Sequence, residues 1–180
     1  MSAAGPSWPP SAFWNFSLDL YRRPEVESAC LVLQDAHRLD VNLVMLAAWA
    51  AHTGRRLELS LAGRLRALAD AYQADVMQPL RQTRRALKSH APSSALAPLL
   101  ADRRRALLGL ELDLERLEQL QLEKLLEEAG SVRAQPAAQL FVANLEQLYP
   151  GRALPAPVLA VLASTLAESD ATAAPDRSSL

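Results

Sequence analysis

Apolar residues recur at steps of three and four along nearly the whole chain, which is the period of helices that each bury one face. The first such pattern begins at Ser11, a fitting N-cap. It runs through Phe13, Phe16 and Leu20, with Trp14, Leu18 and Tyr21 in the adjacent row, as far as Tyr21. Pro24 stands where a second helix would start, since its missing N–H is harmless in a first turn, and Glu25 and Glu27 suit the helix dipole there. That helix sets Val26, Ala29, Cys30, Leu33 and Ala36 on one face. Asp40 is placed to cap a third helix, Val41 to Thr53, which is apolar nearly all round and therefore central, with Gly54 as its left-handed stop.

A fourth pattern starts near Ser60 and carries Leu61, Leu65, Leu68, Tyr72, Val76, Leu80 and Leu87 across Pro79. A proline inside a helix removes one ladder bond and crowds the preceding turn, so a kink or break is expected around Ala74 to Gln78. Ser89 to Ser94, reading SHAPSS, is expected to turn the chain. The fifth pattern, Ala97 to Ala129, is dense in leucine, with Leu107, Leu110, Leu114 and Leu117 spaced like a heptad seam. Its apolar residues span too wide an arc for one neighbour to cover, which calls for deep packing or a partner. Two shorter helices, Pro136 to Tyr149 and Pro157 to Glu168, follow.

Composition narrows the fold class. Leu and Ala supply 68 of 180 residues, against nine Val, four Thr and no Ile, so a β-sheet lacks the branched residues that fit a pleated surface. The expected fold is a single all-α domain of six or seven helices over residues 11–168, the fourth and fifth patterns forming a long antiparallel hairpin. Residues 1–10 and 169–180, rich in proline or small polar residues, are expected to be disordered. One cysteine cannot form an internal disulfide, and no apolar run reaches the roughly 18 residues of a membrane span. The opening residues lack a signal-peptide pattern, so a cytoplasmic location without membrane contact is expected.

Charge is close to balanced overall, at a net −1, but it is unevenly placed. No acidic residue lies between Val76 and Ala101, where Arg81, Arg84, Arg85 and Lys88 line one helical face, and Arg103, Arg104 and Arg105 follow the turn. Acidic residues dominate the later fifth pattern: Glu111, Asp113, Glu115, Glu118, Glu123, Glu127 and Glu128. A hairpin would gather the basic residues at its tip. That tip is a candidate partner or anion site, set against the plainer reading of a solvated face whose arginines pair across the hairpin. RNA or ribosome contact is the weaker alternative, because no aromatic residues are interleaved there.

Residues with chemical potential are few. Asp35, His37 and Asp40 are close in sequence, but on one helix Asp35 and His37 point roughly 200° apart, and Asp40 already serves as a cap. Cys30 reads as a small core residue, and His52 as a cation at a helix C-terminus. A pocket among the aromatic N-terminal helices would draw on Trp14, Asp35, His37, Asn42, Trp49 and His52, and Asn42, at a buried helix start, must find hydrogen-bond partners. No catalytic residue, metal ligand or cofactor is assigned. The leading expectation is a non-enzymatic interaction or regulatory protein with a protein partner; a small enzyme or ligand-binding protein is the alternative.

The combination of FWNFSLDLY at Phe13 to Tyr21, a proline-started helix, ACLVLQD at Ala29 to Asp35, DVNL at Asp40 to Leu43 followed by Trp49, and PLRQTRRALK at Pro79 to Lys88 resembles an uncharacterised proteobacterial family of small conserved hypothetical proteins, a domain of unknown function. The resemblance spans roughly residues 13–150. Glu25 stands where that family is expected to have glycine, and the link AHRL replaces a glycine-bearing one. The resemblance implies a cytoplasmic all-helical bacterial protein and brings no activity with it.

Overall fold

The computed structural model describes residues 7–90, 95–131 and 135–173, with side chains described as far as Glu168. Among these are eight α-helices and no strand: α1 (Ala12–Tyr21), α2 (Pro24–Asp35), α3 (Val41–His52), α4 (Leu59–Tyr72), α5 (Gln78–Ser89), α6 (Ala97–Leu126), α7 (Ala137–Leu148) and α8 (Ala156–Ala173). A π turn, Gln73–Met77, joins α4 to α5 without interruption, so the described residues form seven helical rods. The expected all-α class is the one observed. Residues 91–94, most of the SHAPSS turn, lie outside the described residues, as do residues 1–6 and 174–180 of the two expected disordered ends. Residues 7–10 carry no regular structure, whereas residues 169–173, expected to be disordered, continue helix α8.

Local chemistry sets the helix ends. Ser11 caps α1 by accepting from the Trp14 N–H at 2.9 Å, and Glu123 of α6 completes the cap, accepting from Ser11 Oγ at 2.6 Å and from the Phe13 N–H at 3.0 Å. Pro24 occupies the first turn of α2. Asp40 caps α3, its Oδ1 accepting from the Leu43 N–H at 3.1 Å. Gly54, at φ 67°, ends α3 in a left-handed turn in which the Arg55 N–H reaches back to Ala50 O and the Gly54 N–H to Ala51 O. The π turn lies where proline was expected to disturb the fourth pattern. Pro79 has no N–H for the carbonyl of Asp75, and the chain answers by widening, the Gln78 N–H bonding to Gln73 O five residues back.

The core is built around α3, of which Leu43 to Ala48, Ala50 and Ala51 are buried. It packs against α7, α6 and α1, while α7 and α8 close the far side with α2. Phe13, Leu33, Leu46, Leu65, Leu122 and Phe141 are among the fully buried side chains. Buried Asn144 fixes the α3–α4 link, accepting from the Leu57 N–H at 2.9 Å and donating to Arg55 O at 3.0 Å. Beyond this body, α5 and the first half of α6 project as a two-helix arm, and no residue of α5 is buried.

Candidate functional site

The face that α6 turns inward is acidic in its middle. Glu111, Glu115, Glu118, Leu122 and Leu126 succeed one another at steps of three and four along that face. Glu111 and Glu118 are buried, as are the two leucines. The buried carboxylates meet partners from three directions. Glu118 Oε2 accepts from Asn42 Nδ2 of α3 at 2.7 Å and from Gln73 Nε2 of the π turn at 3.3 Å. Arg81 of α5 donates to Glu115 Oε1 at 2.7 Å and to Gln73 Oε1 at 3.3 Å, and Arg84 pairs with Glu111. Gln119 Nε2 donates to Asn42 Oδ1 at 2.9 Å. The π turn matters here because the widened turn carries Gln73 to both Glu118 and Arg81.

A cleft of about 280 Å³ opens beside this network, lined by Trp14, Ser17, Leu18 and Tyr21 of α1, Gln34, Leu39, Asp40, then Val41, Asn42 and Met45 of α3, and Gln73, Arg81, Leu112, Glu115 and Gln119. Burial sets its electrostatics. Glu118 is pushed up to about 8, chiefly by burial and then by the charge of Asp40, against the bonds from Asn42 and Gln73. Burial likewise raises Asp40 and Glu115, although backbone N–H groups and Arg81 respectively pull them down. The Tyr149 hydroxyl, which accepts from the Asp40 N–H at 3.1 Å, is raised by burial and by the charge of Asp40.

The residues singled out in the sequence divide between this cleft and other places. Trp14 and Asn42 line it. Trp49 and His52 continue the Asn42 stripe along α3 and stack with Phe16, whose ring centroid lies 5.2 Å from Trp49 and 5.1 Å from His52. Asp35 is exposed at the end of α2, and the His37 carbonyl accepts from Arg152. Among the described residues no three His, Cys, Asp or Glu side chains are placed to hold a metal ion. Cys30 lies in the core, its thiol raised by burial to about 12. Sequence reasoning counted Glu118 only as part of the acidic run and passed over Gln119 and Gln73. The available signal was the stripe of α6 that changes from leucine to glutamate without leaving one face.

The arm places the basic residues in two groups. Arg81 and Arg84 lie against Glu115 and Glu111, whereas Arg85 and Lys88 are exposed near the end of α5. Arg103 and Arg105 reach Asp102 at 3.4 and 3.7 Å, and Arg104 is half-buried between them. With glutamates taking the inner face, leucines of α6 turn out: Leu108, 55% exposed, and Leu112, 51%, lie about half a turn around the helix from a strip of Leu99, 54%, Leu110, 45%, and Leu117, 41%. A shallow apolar depression formed by Leu68, Leu117, Leu120 and Leu125 extends this strip onto the body.

The fold and site define a small all-α protein with a buried polar cluster beside a cleft and a leucine-faced arm. The chain belongs to the family described as a protein of unknown function (DUF2390), whose model matches residues 12–122, from α1 into α6, and so takes in every residue lining the cleft and the whole arm. Neither the curated proteins nor the solved structures yield a match. Among the described residues no helix is long and apolar enough to cross a membrane.

Proposed function

We propose that this is a non-enzymatic interaction protein that works by self-association, α6 of one copy packing antiparallel on α6 of another. The observation that carries this reading is the inverted face of α6. Its inward stripe holds Glu111, Glu115 and Glu118, and its outward strip holds Leu99, Leu110 and Leu117, spread over about 27 Å of helix. Charge selects the second copy and its direction. The outer side of α6 is basic at Arg103 and Arg105 and acidic at Asp113, so antiparallel pairing sets these unlike charges together. A twofold axis near Leu108 would bring Leu99 level with Leu117 and Arg103 level with Asp113. The free, buried thiol of Cys30 supports a reducing setting, and we place the association in the cytoplasm.

Sedimentation equilibrium at about 100 µM, where a contact of roughly 5.5 kcal/mol is half-populated, tests the reading. A dimer is expected, reduced to monomer by Leu110→Glu, an exposed position whose change leaves the fold intact. Arg103→Asp and Asp113→Arg should each weaken the dimer, and the two together should restore it. A wild-type monomer overturns the proposal, as does a dimer indifferent to Leu110→Glu.

A further inference from the structure

The cleft beside α3 has a polarity that follows from its hydrogen bonds. Glu118 is fully buried and its Oε2 takes the Asn42 amide N–H at 2.7 Å, so Asn42 must turn its Oδ1 the other way. That oxygen accepts from Gln119 Nε2 at 2.9 Å, which in turn leaves Gln119 Oε1 as the atom facing elsewhere. Gln119 lines the cleft, is 4% exposed, and its Oε1 accepts no hydrogen bond among the described residues; neither does Glu118 Oε1 behind it. Buried polar atoms are ordinarily paired, and a buried amide acceptor left without a partner beside a cleft is a feature a donor would complete. The carboxylates of Asp40 and Glu115 share that wall with one guanidinium, Arg81, which is already engaged by Glu115 and Gln73. Trp14 and Tyr21 supply aromatic walls, and the space equals about nine waters.

We propose that the cleft binds a small organic cation that carries N–H donors, a primary ammonium or guanidinium group, with Gln119 Oε1 and the Glu115 carboxylate as its acceptors and Trp14 beside it. The absence of three converging ligand side chains among the described residues favours such a cation over a metal ion. Asp40, Glu115, Arg81 and Tyr72 are the charged and titratable groups around Glu118, together with the amides of Asn42 and Gln73. A cation in the cleft would favour the ionised form of Glu118, which burial otherwise opposes, so binding should release protons and tighten as pH rises through 8.

The experiment is titration of the full chain with benzylammonium and guanidinium chlorides, read by calorimetry and by Trp fluorescence, with tetramethylammonium as a cation that lacks N–H donors. Saturable binding of benzylammonium or guanidinium is expected, tighter at pH 8.5 than at pH 6.5. Gln119→Met and Glu115→Gln should each weaken it about tenfold or more, the loss of a hydrogen bond to a charged group. Glu115 is partly exposed, so its variant keeps the test valid even if Gln119→Met fails to fold. The proposal is overturned if neither donor cation binds saturably, if tetramethylammonium binds equally well, or if both folded variants bind as the wild type does.

Discussion

Replacing Glu118 by glutamine should make the protein more stable at alkaline pH, although it removes an acceptor from a buried network. The folded protein holds this carboxyl at about 8 against an ordinary value of 4.5, so the protonated form is the one the fold favours. A group raised on folding contributes stability that is fully present below 4.5 and is lost as pH rises through 8. Linkage gives a slope of about 1.4 kcal/mol per pH unit across that window, a loss on the order of 5 kcal/mol in all. Glutamine imitates the protonated acid, since its Oε1 accepts from Asn42 and Gln73 as Glu118 Oε2 does. Urea unfolding of wild type and Glu118→Gln from pH 4.5 to 9 should give curves that nearly meet at the acid end and separate steadily, with the variant above. The repulsion from Asp40 and Glu115 is part of what raises Glu118, so the difference between the two proteins carries it as well. Parallel curves would refute the reasoning, because they would mean that Glu118 ionises in the folded protein as readily as in water.

Asn144→Ala should cost about 3 kcal/mol by leaving the Leu57 N–H and the Arg55 carbonyl unpaired in the core, a fall of roughly 10 °C in Tm by differential scanning calorimetry. Arg38→Gly should raise stability by up to about 1 kcal/mol in the same assay. Arg38 holds φ at 53°, a left-handed conformation that suits glycine, and the relief outweighs the extra freedom glycine brings to the unfolded chain.

Most of the helices were legible because each of their boundaries rests on a local cause. Ser11, Pro24, Asp40 and Gly54 act within a turn of themselves, and the spacing of the fourth pattern located the disturbance before Pro79. Arg38 shows the same legibility from another side. Where the related family was expected to carry a glycine-bearing link, the backbone does take the left-handed turn, with arginine in it. The cleft was only half legible. Trp14 and Asn42 announced themselves as an aromatic and an amide at helix starts, whereas Glu118 and Gln119 lie in a leucine-rich run where glutamate ordinarily marks the solvent side. Their burial depends on α1, α3 and the π turn arriving together, a tertiary arrangement that no single helical period encodes. The same inversion explains why leucine density alone could not tell deep packing from an open surface along α6.

Distances between spin labels on Ala106→Cys and, separately, Leu96→Cys test the antiparallel association of α6 most directly. Cys30 is buried, its thiol raised to about 12, and will not take the label. An antiparallel pair centred near Leu108 brings the two labels at position 106 within about 15 Å and holds those at position 96 apart by about 36 Å along the axis. A parallel pair would give two short distances, and a monomer would give none. Either result would contradict antiparallel self-association through the leucine face of α6.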